Sequence, residues 1–156
     1  MLTFEIPGFN TLRIEHLVLD YNGTLACDGR LVKGVRERLK RLARSLRIHV
    51  VSADTFGKAR AALAGLPCEI TLLPPAKQDA AKYAYIDRLD TRRCACIGNG
   101  RNDRSMLKAA ALAIAVLQTE GAAAETMAAA DVVSSSILDA LDLLAHPLRL
   151  IATLRS

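Results

Sequence analysis

Apolar positions follow two rhythms along this chain. Runs rich in Val, Ile and Leu cover residues 2–6, 12–20, 47–52, 68–73, 93–97, 112–116 and 131–134 and read as strands. Between them, apolar residues recur three and four apart over 34–46, 59–66, 77–89, 102–110, 121–129 and 137–144, which reads as helices. Pro7-Gly8 parts the first two runs, Gly65 and Pro67 stop a helix, and Pro74-Pro75 closes a strand. Pro147 breaks the chain before a terminal helical stretch, and Asp28-Gly29 marks a hairpin turn. The alternation predicts an α/β fold, a three-layer Rossmann-like sandwich with a mostly parallel central sheet and a short β-hairpin flap. The length suits one domain over 1–156. Right-handed crossovers should bring the strand ends at Asp20, Ser52 and Gly98 to one sheet edge, with the loop at 75–77 close by.

Composition narrows the function classes. Aromatics are 4% and Trp is absent, so a platform for stacking nucleic-acid bases is poorly supplied. Net charge is +5, and the cations crowd the helix at 34–46 and its flanks: Lys33, Arg36, Arg38, Lys40, Arg41, Arg44 and Arg47 face a lone acid, Glu37. That is the solvated face of an amphipathic helix or, alternatively, a surface for nucleic acid or another anion. Cys27, Cys68, Cys94 and Cys96 lack CxxC or zinc-like spacing and read as structural thiols. No apolar run approaches the ~18 residues of a membrane span, and no leader opens the chain. The expectation is a cytoplasmic protein with no membrane contact.

Chemistry concentrates at the predicted loops. Asp20 ends a buried strand just before the Asn22-Gly23 turn; it is a turn residue or a reactive carboxylate. Ser52 and Asp54, around Ala53, cap the following helix or meet a ligand. Lys77 is a surface lysine or a site cation; Lys82 competes for that role, but Lys77 lies nearer the loop edge. Gly98-Asn99-Gly100-Arg101-Asn102-Asp103 is a glycine-rich strand-to-helix turn suited to phosphate or metal. The dinucleotide fingerprint is excluded, since its third glycine would fall at Asp103. His16 and His49 lie in strands and read as packed residues, and His146 sits at a helix end. Tyr21 packs or shapes access to Asp20.

From residue 20 to about 142, these motifs in this order resemble the haloacid dehalogenase-like (HAD) phosphatase and P-type ATPase superfamily. Asp20-Tyr-Asn-Gly-Thr24 is similar to its nucleophile motif, Ser52-Ala-Asp54 to its hydroxyl motif and Pro74-Pro-Ala-Lys77 to its lysine motif. Gly98 to Asp103 is similar to its metal motif, and 109–116 with 130–133 to the tail of the module. The soluble P-type ATPase-like branch, which also carries Gly-Asn-Gly, resembles it most. The resemblance implies a phosphatase acting through an aspartyl-phosphate on Asp20. Ser52, Ala53, Lys77 and Asn102 would hold the phosphate. Mg2+ would sit among Asp20, the Asn22 carbonyl, Asn99 and Asp103, with Asp103 carrying most of the last motif's charge and Asp54 adding negative potential.

Two departures shape the expectation. Asn22 stands where the family's phosphatases place the carboxylate that protonates the leaving group, and a carboxamide performs no general acid-base catalysis. Asn99 stands where many relatives use a charged metal ligand. Slow turnover or weak Mg2+ affinity follows, with a catalytically inactive phosphate-binding or regulatory protein as the alternative. The gaps between motifs are too short for a separate cap domain. An open site suits a large phosphorylated substrate, such as a phosphoprotein or nucleic-acid end, or a homo-oligomer whose neighbouring subunit supplies the cap.

Overall fold

In the computed structural model, which describes residues 1–53 and 57–156, the two rhythms separate into a sheet and two helical layers. The expected run over 12–20 divides. Its first part, β2 (Thr11–Ile14), pairs antiparallel with β1 (Leu2–Glu5) in a ribbon of its own. Its second part, β3 (His16–Asp20), enters the main sheet. A small antiparallel hairpin follows, β4 (Ala26–Cys27) and β5 (Arg30–Leu31). Its turn residues Asp28 and Gly29 both have positive φ, 50° and 74°, as the tight turn in the sequence demands. Then come α1 (Val35–Leu42), β6 (Arg47–Ser52), α2 (Lys58–Ala62), β7 (Cys68–Leu72) and α3 (Gln78–Leu89). The chain ends with β8 (Cys94–Gly98), α4 (Arg104–Ala109), β9 (Leu112–Val116), α5 (Ala124–Ala129), β10 (Val132–Ser134), α6 (Ile137–Ala145) and α7 (Pro147–Leu154).

Among the described residues the main sheet has six strands, ordered β10-β9-β8-β3-β6-β7, all parallel. Every residue of β3, β8 and β9 is buried, as strands covered on both faces require. Alternation sorts their side chains. Leu17, Leu19, Ile48, Val50, Ala95 and Ile97 join the core shared with α1, α2, α6 and α7. Val18, Val51, Cys94 and Cys96 face the other way, against Tyr85 and Ile86 of α3 and Met106 and Leu107 of α4. Cys94 and Cys96 therefore serve as small buried apolar groups on one face, and all four cysteines are free thiols.

The basic helix spends part of its charge inside the molecule. Arg38 reaches both oxygens of Asp142 on α6, at 3.0 and 2.7 Å, and Arg41 adds a contact at 3.3 Å. These guanidinium groups hold the Asp142 carboxyl below the usual carboxylate range. Arg36 donates to the Ala62 and Ala64 carbonyls at the end of α2. Among the described residues no helix is long and apolar enough to cross a membrane.

The α3 face also holds a buried polar chain. His16 Nδ1 and His49 Nε2 lie 3.0 Å apart, and His49 Nδ1 is 2.9 Å from the Tyr85 hydroxyl. Burial lowers both histidines; Arg47 lowers each further, the His16 charge adds at His49, and nearby Glu15 and Glu69 oppose this only in part. On acidification the unfolded chain takes up these protons first, so the contribution is complete above about pH 6.5 and is lost as pH falls below it. We expect urea unfolding to show stability falling below pH 6.5 by up to about 1.4 kcal/mol per pH unit per histidine. In the His16→Gln/His49→Gln double variant that slope should flatten; an unchanged slope would mean the pair does not titrate with unfolding.

Candidate active site

Parallel register sets the site. Asp20 pairs with Val51 and Leu19 with Ile97, so the ends of β3, β6 and β8 share one edge. Ser52 follows Val51 and Gly98 follows Ile97. Beyond that edge β8 leads through a 3-10 turn, Arg101–Asp103, into α4, and the loop after β7 leads into α3. Asp54 lies outside the described residues.

The centre of the site is Lys82. Its Nζ lies 2.6 Å from Asp20 Oδ1 and 2.6 Å from Asp103 Oδ1, and neither Lys82 nor Asp103 is exposed. The other oxygen of Asp103 accepts the Asn99 and Gly100 N–H groups at 3.0 and 2.9 Å. Gly98 makes room for this: a Cβ there would stand 2.5 Å from Asp103 Cγ. Opposite Lys82, Thr24 Oγ1 lies 3.3 Å from Asp20 Oδ2 and 3.1 Å from Asn99 Oδ1. Asn99 Nδ2 donates to the Gly121 carbonyl at 3.0 Å, which turns its oxygen toward Thr24 and Asp20. Gly23, at φ 76°, passes so close to Asn99 that a Cβ would lie 2.3 Å from Nδ2.

Two expectations about the charged residues are corrected by this arrangement. The lysine between the carboxylates is Lys82 and not Lys77, which precedes α3 and is exposed. The reason is helical geometry: Lys82 lies four and seven residues before Ile86 and Leu89, on the stripe that faces the sheet. That spacing was readable, but closeness to the loop edge pointed the other way. Asp103, expected at the metal, has its oxygens on Lys82 and on two backbone N–H groups, that of Asn99 among them. It positions the lysine and the turn. Asn102, expected at the phosphate, donates to Gln78. Ser52 is buried at the end of β6, Ala53 is half-buried beside it, and Asn22 is exposed.

Gln118 had no signal in the sequence. Its amide nitrogen donates to the Gly23 and Thr24 carbonyls at 2.9 and 2.6 Å, and its oxygen accepts Ile137 N–H at 3.1 Å. It clamps the loop after Asp20 against the start of α6. The Asp28 N–H donates to Glu120 at 2.7 Å, so the flap is moored to the same loop.

Electrostatics follow from two buried carboxylates around one ammonium. Burial pushes Asp20 up to about 7; the Asp103 charge adds to the rise and Lys82 opposes it. Burial alone would lower Lys82, but the two carboxylates and their hydrogen bonds leave it raised and cationic. The cluster carries surplus negative charge that a proton or a divalent cation would neutralise. Among the described residues no group of three or more His, Cys, Asp or Glu is placed to hold a metal. The Asp20 carboxylate and the Asn99 amide oxygen, both on Thr24, are instead a small set of hard oxygens of the kind Mg2+ accepts when it keeps several waters.

Comparisons with known proteins agree with the fold. No family model matches the chain. The uncharacterized protein MJ0073 of Methanocaldococcus jannaschii is 47% identical over 64 residues, 41% of this chain and 69% of that protein. MJ0072 of the same organism is 49% identical over 39 residues, 25% of this chain and 89% of that protein. A Streptomyces avermitilis protein described as a HAD family hydrolase superposes with a TM-score of 0.70 at 19% identity, covering 92% of this chain and 90% of that one. The cobalt-bound deoxy-D-mannose-octulosonate 8-phosphate phosphatase of Haemophilus influenzae gives 0.71 at 17% identity, with 86% and 89% covered. The 3-deoxy-D-manno-octulosonate 8-phosphate phosphatase of Moraxella catarrhalis, in complex with magnesium ion, phosphate ion and KDO, gives 0.67 at 17%, with 91% and 94% covered.

Replacing Lys82 leaves two buried carboxylates facing each other. Lys82→Met should therefore cost about 3–5 kcal/mol at neutral pH by chemical denaturation, whereas Lys77→Met should stay within about 0.5 kcal/mol. Equal costs would overturn the assignment. Because the raised Asp20 keeps a proton below about pH 7, a cation must displace it. Calorimetry should find Mg2+ binding tightening from pH 6 to 7 with proton release and levelling off above; Asp20→Asn should abolish that dependence.

Proposed function

We propose that this chain, which has the fold of HAD family hydrolases and belongs to one family with the two Methanocaldococcus jannaschii proteins, is a phosphomonoester hydrolase acting through Asp20. The carrying observation is the buried Asp20–Lys82–Asp103 cluster at the carboxyl edge of a parallel sheet, with Thr24 against the other oxygen of Asp20 and against Asn99. Lone carboxylates are rarely buried beside a lysine for packing, and perturbed pairs at such an edge mark reactive sites.

In this reading the Asp20 carboxylate attacks phosphorus, the ester P–O bond breaks and the departing alkoxide takes its proton from solvent water. Lys82 holds Oδ1 of the nucleophile in place and offsets charge on the transferring group. Ser52, with the backbone N–H of Ala53, lies at the neighbouring strand end to meet phosphate oxygens. Water then attacks phosphorus and gives up a proton to solvent, the P–O bond to Asp20 breaks and the carboxylate returns. Asp103 and Thr24 orient Lys82 and Asp20 throughout. Asp20, Asn99 and the Asn22 carbonyl would hold Mg2+, which when bound neutralises charge on the phosphoryl oxygens.

Asn22 sets the rate. It is exposed beside the nucleophile, where a carboxylic acid could protonate the departing alkoxide and a carboxamide cannot. This favours slow turnover, and it is the observation behind a second reading: a phosphate-binding regulator that seldom completes the cycle. Four free thiols suit a reducing cytoplasm. A nucleic-acid end as substrate would rely on Lys33, Lys40, Arg44 and Arg47, because Arg36, Arg38 and Arg41 are engaged within the fold.

The test is an Mg2+-dependent aryl phosphatase assay. Wild type should hydrolyse slowly, Asp20→Asn should be inactive, and Asn22→Asp should raise kcat about 10- to 100-fold, the low end of general acid-base effects. Brisk wild-type turnover that drops in Asn22→Asp would sink the account of Asn22. No metal-dependent signal above Asp20→Asn would favour the regulator.

A further inference from the structure

Between the segments that lead to Lys82 and Asp103 lies a cleft that the mechanism above does not use. It has a volume of about 430 Å³ and is lined by Lys77, Gln78, Asp79, Arg101, Asn102 and Arg104, with Pro75 at its rim. Its two walls are the beginning of α3 and the 3-10 turn before α4. Both belong to the reactive edge. On one wall, α3 runs from Gln78 inward to Lys82, so Lys77 sits about 7–8 Å along the axis from the buried lysine. On the other wall, Asn102 immediately precedes Asp103, the second partner of Lys82. The Asn102–Gln78 hydrogen bond at 2.5 Å closes the cleft floor between them.

The charges in the cleft are not equivalent. Arg101 lies 3.4 Å from Glu125, and Arg104 lies 2.6 Å from Glu125 and 3.6 Å from Asp79. Asp79 is further occupied by the N–H and hydroxyl of Ser105, at 3.0 and 2.8 Å. Lys77 has no ion-pair partner among the described residues, so its charge is available to a ligand. Its backbone is also unusual. Lys77 adopts φ 56° and ψ 40°, a left-handed conformation that glycine takes at lower cost. A strained lysine at the mouth of a basic cleft, one to two helical turns from the lysine that holds Asp20, has a cost in the fold that a binding role explains.

We propose that this cleft is a subsite for a second anionic group of the substrate, a carboxylate or a second phosphate, with Lys77 as its principal cation and Arg101 as its second. The inference rests on the phosphatase reading and narrows it to phosphomonoesters that carry another negative charge a few bonds from the reacting phosphorus. Sugar phosphates or alcohol phosphates without such a group would engage Lys82 and Ser52 but leave the cleft empty.

The test compares three C3 phosphates: glycerol 3-phosphate, 3-phosphoglycerate and propane-1,3-diyl bisphosphate. Wild type should prefer the two compounds that carry a second anionic group in kcat/KM, mainly through KM. A preference for 3-phosphoglycerate alone identifies a carboxylate site; a preference for the bisphosphate alone identifies a phosphate site. Lys77→Gly removes the cation and relaxes the backbone, so its Tm should be equal or higher. That preference should nevertheless fall about 5- to 10-fold, as expected for the loss of one charge-assisted contact. No preference in wild type, or an equal preference in Lys77→Gly, overturns the subsite. If none of the three is hydrolysed, the phosphatase reading fails separately, and the subsite is judged by calorimetry. Binding of 3-phosphoglycerate over glycerol 3-phosphate that weakens in Lys77→Gly supports it; indifference to the substitution overturns it.

Discussion

One ammonium between two carboxylates organises the reactive edge of this protein. Lys82 is fully buried, and so is Asp103, so neither charge can be left alone. Each member fixes another part of the molecule. Asp20 ends the central strand β3, Lys82 ties α3 to it, and Asp103 carries the link to the turn after β8. The backbone N–H groups of Asn99 and Gly100 complete the shell around Asp103. A single cation therefore joins β3, α3 and the β8–α4 turn, and the position of the Asp20 carboxylate follows from that joint.

The joint is possible because its surroundings leave room for it. Gly98 continues the face of Cys94 and Cys96 but adds no side chain where the Asp103 carboxyl lies. Gly23 allows Asn99 to lie against the loop after Asp20. Gln118 then clamps that loop from outside the sheet, and the flap hangs on Glu120 of the same segment. Between β3 and β6 the chain holds the hairpin and α1.

Much of this was legible in the order of residues. The apolar runs and their crossovers specify a parallel sheet, and Asp28-Gly29 specifies its hairpin because few other pairs accept two positive φ values. Asp20, Ser52 and Gly98 reach one edge for reasons of topology alone. The long run over 12–20 was harder, since nothing in its hydrophobicity separates the part that pairs with β1 from the part that enters the sheet. For the lysine, closeness to the loop edge pointed to Lys77, whereas the helical phase of Lys82 with Ile86 and Leu89 sets it on the face that meets the sheet. The roles of Asp103 and Gln118 were not legible. They depend on which way a carboxylate and an amide turn between elements distant in the chain, and local pattern does not carry that information.

The exposure of Asn22 has a consequence of a different order. Its neighbours Asp20, Thr24 and Asn99 are buried in a shared hydrogen-bonded network, whereas the Asn22 side chain stands in solvent. An asparagine codon becomes an aspartate codon by a single base change. The change from amide to carboxylate at this position is therefore one mutational step that the packing of the protein scarcely registers.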